Sequence, residues 1–415
     1  MDRRIFLKQL SAATLAGAGM TLNPAAGTLL KFARAATGGN KTLVVIFQRG
    51  GCDGLNAVVP YADPDYRRHR PTLAIPAPGA AERAALDLDG FFGLHPSLAG
   101  LHEIYQENNL AVFPAVHYPD ASRSHFDSQR LIEGAALQRQ NDGWLNRVIQ
   151  QNPNADLLNA VALGSQLPFS LFGDIQVPSF DSLQTALGAP EAQEPAIQAA
   201  LDAIFRNAPP TSGNRDRLYG AGRVAMEMLD QLALLAQGEY VAENGANYAD
   251  DGFAQQLKQV ARLIKADVGL EIATLNIGGW DTHSNQGAAE VGGTQARRFA
   301  IFADGLRAFY RDMADRRDDV MVLTMTEFGR TVQENASGGT DHGKASAWFA
   351  FGGQTQGGVH GGWPGLDEAD LDQGRFLRYT VDYRHILADV LSGHLGVRNL
   401  GAILPDLLRV LPERA

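Results

Sequence analysis

A single cysteine, Cys52, stands in a chain of 415 residues. No internal disulfide can form from it, so stability must come from an apolar core and from any ion the chain binds. Basic residues are also scarce, with 36 Lys and Arg against 46 Asp and Glu and a formal net charge of −10. A chain of that sign repels polyanions, which argues against nucleic acid and anionic membrane surfaces as partners. Long apolar runs are missing too. The mild apolar stretch at 10–30 is interrupted by Gly17, Gly19, Asn23, Pro24 and Gly27, whereas a stable membrane span needs roughly 20 mostly apolar residues. No internal repeat, coiled-coil heptad or low-complexity tract is present.

What the amino terminus does contain is Arg3-Arg4-Ile5-Phe6-Leu7-Lys8, then the Ala- and Gly-rich stretch, then Ala33-Arg34-Ala35. This order reads as a twin-arginine export signal with a small-x-small cleavage site. The expectation is a signal over 1–35, a mature chain beginning near Ala36, a periplasmic or secreted location, and no stable membrane insertion after cleavage. Loss of the signal removes Arg3, Arg4, Lys8, Lys31 and Arg34 but only one acid, Asp2, so the mature chain is the more acidic. Its length exceeds the usual single core of about 250–300 residues, so one large domain with insertions or a cap is expected.

Along the mature chain the short apolar runs are continuous rather than alternating, at 43–47, 110–116, 158–163, 272–277, 320–325 and 348–351. Continuous runs fit strands buried on both faces of a parallel sheet. Between them, apolar residues recur at three and four positions over 96–106, 124–134, 144–151, 217–235, 253–265, 294–315 and 380–395, which predicts helices. The alternation points to an α/β fold, a three-layer α/β/α sandwich with a largely parallel central sheet. The irregular stretches 63–90 and 166–214 are expected to be insertions or cap elements near the mouth of a site.

Chemistry concentrates in glycine-rich clusters. Asp341-His342-Gly343 sets an acid beside an imidazole on a backbone that glycine allows to turn tightly, and so can present two metal ligands from one loop. Acids or histidines recur among glycines at Gly50-Gly51-Cys52-Asp53-Gly54, at Gly278-Gly279-Trp280-Asp281-Thr282-His283 and at Gly357-Gly358-Val359-His360-Gly361-Gly362. Together these clusters suggest a dinuclear metal site. Asp53, Asp281 with His283, Glu327 and Ser124 each follow the carboxyl end of a predicted strand, the edge where ligands bind in an open parallel sheet. Cys52 beside Asp53 is either a small buried apolar residue or a further ligand. The remaining histidines, His69, His95, His102, His117, His385 and His394, read as surface or core residues.

The run GGCDGLN, SRSHFDSQ, GGWDTHSNQ, TEFGRT, TDHG and GGVHGGWPG, behind a twin-arginine signal, resembles the exported family of domain of unknown function 1501 within the alkaline phosphatase superfamily. The resemblance implies the superfamily's fold and two divalent metals, zinc first, with manganese, calcium or iron as alternatives, over a Ser or Thr nucleophile. On this likeness Asp53 with Asp341 and His342 holds one ion, and Asp281, His283 and His360 hold the other. Two departures stand out. A single residue separates Asp281 from His283 where relatives leave about four, so His283 is either a ligand or a support for one. Glu327, directly after a strand, competes with Asp341 as the equivalent acid.

Relatives open a helix with their nucleophile and place a glycine ten residues on, a spacing that Ser124 and Gly134 reproduce and Ser122 does not. A helix amino terminus stabilises both an alkoxide and the phosphate it attacks, although a serine there also serves as a simple cap. Arg123 or Arg330 is a candidate clamp on substrate oxygens, Arg330 being equally a salt-bridge partner for Glu327, and His125 is a candidate general acid or substrate contact. The expected function is hydrolysis of a small anionic ester. A phosphate is preferred to a sulfate because none of Ser122, Ser124 and Cys52 begins the Cys/Ser-x-Pro-x-Arg motif of formylglycine sulfatases. The alternative is a metal-stabilised binding or export-associated protein without turnover.

Overall fold

The computed structural model describes residues 29–30, 41–119, 121–152, 158–186, 195–206, 214–290 and 292–407. Apart from Leu29 and Leu30, the expected export signal lies outside the described residues.

The main sheet is built from β1 (Thr42–Gln48), β2 (Leu110–His117), β3 (Ala160–Leu163), β4 (Ser179–Phe180), β5 (Ile272–Ile277), β6 (Val320–Met325), β7 (Ser346–Gly352), β8 (Gly358–Val359) and β9 (Val381–Asp382). Its order is β8-β2-β7-β6-β1-β5-β3-β4, with β9 also paired to β2. Every pairing is parallel except those that β7 makes with β2 and β6. β1 to β3 and β5 to β7 are buried along nearly their whole length. That explains why their sequences are continuous apolar runs, since alternation appears only when one face meets water.

Helices cover both faces: α1 (Ala99–Gln106), α2 (His125–Gly134), α3 (Trp144–Ile149), α4 (Asn214–Ala236), α5 (Gly252–Lys265), α6 (Thr294–Asp312) and α7 (Tyr383–Asp389). Successive β1 side chains divide between the layers. Val44 and Ile46 belong to a core with Leu101 of α1, Leu257 of α5 and Phe299 of α6. Leu43, Val45 and Phe47 belong to a core with Ile132 of α2, Trp144 of α3 and Ile386 of α7. The result is a three-layer α/β/α sandwich. Stretch 380–395 is not one helix, since Val381–Asp382 pairs with β2 and a π-helical turn, Val390–His394, follows α7.

Stretch 63–90 holds the short helix Pro64–His69, and stretch 166–214 supplies the edge strand β4. Leu29 and Leu30 donate their backbone N–H groups to Asp389 Oδ2 at 2.8 and 2.9 Å, and Leu30 is fully buried. No described helix is long and apolar enough to cross a membrane.

Register decides what meets at the sheet edge. Phe47 lies opposite both Asn276 and Met325, so β1, β5 and β6 end together and the loops after them leave side by side. Because β7 runs antiparallel, its amino-terminal end lies at this edge, and the loop carrying Asp341 and His342 reaches it from the other direction. β2 runs in the same direction as β6 and delivers Ser122 to His125 to the same place.

Candidate metal centre

Three imidazoles and a carboxylate converge at that edge. His125 Nε2 lies 3.0 Å from His342 Nε2, which lies 3.0 Å from His283 Nε2. Asp281 Oδ1 is 3.2 Å from His342 Nε2 and 3.0 Å from His283 Nε2, while its Oδ2 is 3.6 Å from His125 Nε2. His125, Asp281 and His342 are the one His, Cys, Asp or Glu group among the described residues close enough to share an ion, and His283 adjoins it.

The outer nitrogens settle the protonation of the inner ones. His125 Nδ1 donates to Glu327 Oε1 at 2.7 Å, His283 Nδ1 to Asp341 Oδ1 at 3.1 Å, and His342 Nδ1 to the Arg123 carbonyl at 2.9 Å. A neutral imidazole that donates through Nδ1 presents a lone pair at Nε2. Three such lone pairs and a carboxylate facing one another at about 3 Å repel unless a cation lies among them. A tetrahedral shell with metal–ligand bonds of about 2.0–2.1 Å spaces its donors by roughly 3.3 Å. The arrangement therefore fits a divalent ion, and carboxylate or carbonyl partners on the outer nitrogens are the usual means of orienting metal-binding histidines.

Each donor is fixed by its neighbours. Glu327, fully buried, accepts from Gly50 N at 2.8 Å and Gln129 Nε2 at 2.9 Å besides His125. Gln129 lies one turn beyond His125 on α2, which puts both on one helix face. Burial pushes the Glu327 carboxyl up, but the His125 and Gln129 bonds hold it below the usual range. The Glu327 contact correspondingly raises His125. Burial lowers His342. The Phe328 ring packs against both rings, with centroids 4.8 Å from His125 and 4.9 Å from His342. Asn335 and Arg375 bind Asp341 at 3.2 and 3.1 Å.

Arg330 holds the loops together. Its guanidinium donates to the carbonyls of Gly50, Gly51, Trp280 and Thr340 and to Asp281 Oδ1. All these contacts are within the protein, so Arg330 is a brace rather than a clamp on substrate, and it pairs with Asp281 rather than Glu327. Burial pushes the Asp281 carboxyl up, but Arg330, with His283 and His125, holds it below the usual range. The close approach demands glycine: a Cβ at Gly50 (φ +120°) would lie 2.7 Å from Asp281 N, and one at Gly51 (φ +71°) would lie 2.6 Å from the Phe328 ring.

Of the residues singled out in the sequence, Asp281, His283 and His342 stand in the cluster with His125, while Glu327 and Asp341 stand behind it as orienting carboxylates. Asp53 and His360 stand elsewhere. Asp53 forms a buried ion pair with Arg70 at 2.7 Å and accepts from Gln286 Nε2 at 2.6 Å, leaving Oδ1 without a hydrogen bond. His360 follows β8 and sits beside the middle of β2, its N–H on the Val112 carbonyl and its ring 5.4 Å from Phe113. The site edge is reached only at His117, so the strand register keeps His360 out. The two three-residue shells that the resemblance implied are thus not assembled: one group of donors forms, drawn from both shells and from His125. Cys52 is buried, accepts from Gln48 Nε2 at 3.4 Å, and has its thiol pushed well up by burial, as a small core residue would.

Ser124 caps α2 between two cluster contacts, the Arg123 carbonyl on His342 and the His125 ring. Its side chain makes no capping bond, and its N–H donates to Ser122 Oγ at 3.0 Å. Ser122 is thereby tied into the helix start, a role Ser124 Oγ does not take. The Arg123 side chain is exposed over the Phe376 ring, 4.7 Å from its centroid.

Solved structures similar to this chain include the zinc complex of the C-terminal periplasmic domain of EcEptC from Escherichia coli, at 8% identity over 79% of this chain and 76% of that one, with a TM-score of 0.35. A protein in the alkaline phosphatase superfamily from Vibrio parahaemolyticus is similar at 10% identity over 87% and 71%, with a TM-score of 0.35. Phosphonate monoester hydrolase of Agrobacterium radiobacter is similar at 9% identity over 76% and 68%, with a TM-score of 0.32. No curated protein matches the sequence. The family described as "Protein of unknown function (DUF1501)" matches residues 40–408, nearly the whole chain, and this protein belongs to it.

Proposed function

We propose that the protein is an exported metal-dependent hydrolase of phosphate esters. The observation that carries this reading is the convergence of His125, His283, His342 and Asp281, each outer imidazole nitrogen donating to an oxygen, beside a helix-opening serine whose hydroxyl makes no capping bond. His125, Asp281 and His342 would hold one divalent ion with His283 adjoining them, and zinc is favoured by the nitrogen-rich donor set. When bound, the ion supplies positive charge that polarises an ester oxygen and lowers the pKa of a nearby hydroxyl or water.

The chain's own residues supply the rest. Ser124 is held at the start of α2, where free backbone N–H groups and the helix dipole favour an anionic group. Its Oγ would give up its proton and bond to phosphorus as the bond to the ester oxygen breaks, the leaving group taking up a proton to depart as the alcohol, and water would then free the phosphate and restore the hydroxyl. Glu327, Asp341 and the Arg123 carbonyl keep the imidazoles oriented, and Phe328 shields one side of two of them from water.

The experiment is a panel of aryl phosphate monoesters, phosphodiesters and sulfates, offered to the full chain with its metal. Phosphoester cleavage that Ser124→Ala lowers by orders of magnitude, with metal content unchanged and Ser122→Ala milder, is the expected result. Cleavage of sulfates alone would overturn the phosphoester chemistry. No turnover across the panel with metal bound would leave the binding-protein reading.

A further inference from the structure

Beyond the imidazole cluster, one side of the site gathers positive charge in a chain whose formal net charge is −10. Three cations surround the buried ring of Phe376: Arg123 Cζ at 4.7 Å from the centroid, Lys344 Nζ at 5.9 Å and Arg375 Cζ at 5.9 Å. Two of them are compensated, Lys344 by Asp372 and Arg375 by Asp341 Oδ2 at 3.1 Å. Among the described residues the Arg123 guanidinium has no hydrogen bond and no carboxylate partner, and it lies over the ring face.

The position of Arg123 is nevertheless fixed at both ends. Its carbonyl receives the His342 Nδ1–H at 2.9 Å, and its head rests on Phe376. Such a guanidinium can take an oxyanion through two parallel N–H bonds at little ordering cost. Arg375 lies outside the cluster rather than facing its centre. Asp341 stands between, with Oδ2 on Arg375 and Oδ1 on His283 Nδ1 at 3.1 Å, so Arg375 is one carboxylate removed from the imidazoles.

We infer that Arg123, with Lys344 and Arg375 around Phe376, forms a second anion subsite that selects substrates bearing another negatively charged group besides the one at the imidazole cluster. The inference rests on the proposed reading of that cluster as the site for an anionic ester, and it names the substrate class as doubly anionic, such as a phosphate ester carrying a carboxylate or a second phosphate.

The test uses two phosphonates that cannot be hydrolysed as esters, phenylphosphonate and 4-carboxyphenylphosphonate, titrated calorimetrically into the metal-loaded full chain. The carboxylated compound should bind roughly tenfold or more tightly, in line with a charge-assisted bidentate contact. Arg123→Ala should erase that preference while phenylphosphonate affinity stays within about threefold, and Arg123→Lys should keep only part of it because an ammonium lacks the planar fork. Equal binding of the two compounds by the wild type, or an undiminished preference in Arg123→Ala, would overturn the subsite and leave the hydrolase reading standing. Failure of both compounds to bind would overturn the two together. Since neither compound is turned over, a protein inactive on esters that still prefers the carboxylated phosphonate supports the subsite alone.

Discussion

His125 and His342 meet through their Nε2 atoms at 3.0 Å, although each ring already donates through Nδ1, to Glu327 and to the Arg123 carbonyl. Neither ring, when neutral, has a proton left to bridge the gap, so the contact is accounted for by an ion shared between them or by an added proton on His125, which the Glu327 contact favours. On the proposed reading the purified protein is expected to carry one divalent transition ion per chain, measurable by elemental analysis. His342→Ala should empty the site, whereas His360→Ala should leave the count unchanged. Two ions per chain, one lost with His360, would sink the assignment and restore the dinuclear expectation.

Glu327 and Asp341 accept from His125 Nδ1 and His283 Nδ1, and on the proposed reading they orient ligands rather than bind the ion. Glu327→Gln and Asp341→Asn should each weaken metal affinity by roughly 10- to 100-fold, and competition with a chelator measures it. Losses as deep as those of His125→Ala would mean that these carboxylates bind the ion directly.

Arg70 and Asp53 are a buried pair, with side chains 0% and 1% exposed. Replacing Arg70 by Met strands the Asp53 carboxylate, and removing one partner of such a pair costs about 3–5 kcal/mol. Urea unfolding of Arg70→Met should show that loss while metal content stays the same. Unchanged stability in that variant, or an Asp53→Asn variant that folds but loses its ion, would contradict the structural role.

Burial holds three histidines neutral, lowering His95 and His394 to about 4 and His117 to about 3. Unfolded, each takes a proton near pH 6.5. Between the two values the unfolded chain binds more protons, so stability present above about pH 6.5 is lost as pH falls towards 4. Asp389 runs the other way. Burial raises its pKa to about 6, so over the interval between the usual carboxylate range and 6 the folded state holds the extra proton and gains stability on acidification. Among the groups with the largest shifts, three histidines against one carboxyl predict a lower urea midpoint at pH 5 than at pH 7. Replacing His117 by Gln should flatten that difference, and an unaltered profile would count against it.

Export through the twin-arginine pathway is read from Arg3 and Arg4. Cell fractionation with both replaced by Lys should leave the protein in the cytoplasm, and an undiminished periplasmic pool would refute the reading.

The strands were legible because β1, β5 and β6 are buried on both faces, and burial of that kind writes itself as Leu43 to Phe47 or Val320 to Leu323 without a polar interruption. Their common edge followed from parallel order, which drew attention to Asp281 and Glu327. The direction of β7 left no trace in periodicity, yet it brings His342 to the edge from a loop that precedes its strand. His125 was visible only as a neighbour of Ser124. Its place in the cluster depends on Glu327 Oε1 being 2.7 Å from Nδ1, a contact spanning 202 positions. Asp53 misled for a related reason: its partner Arg70 comes from a stretch read as irregular. His360 shared the glycine-rich setting of the others, but motif composition says nothing of register, and register decides its place.

Arg330 gives the site a property that belongs to none of the ligands. One planar side chain in the loop between β6 and β7 bonds to the loops after β1 and β5 and to Thr340 of its own loop, so the relative positions of these three loops are coupled through a single rigid object. A residue inserted into any one loop would be felt by the other two, since the shared fork cannot lengthen to follow it. Sequence change in this region is therefore constrained to preserve backbone length more strictly than side-chain identity. The route to altered specificity runs through groups outside the brace, such as Arg123, rather than through the braced loops themselves.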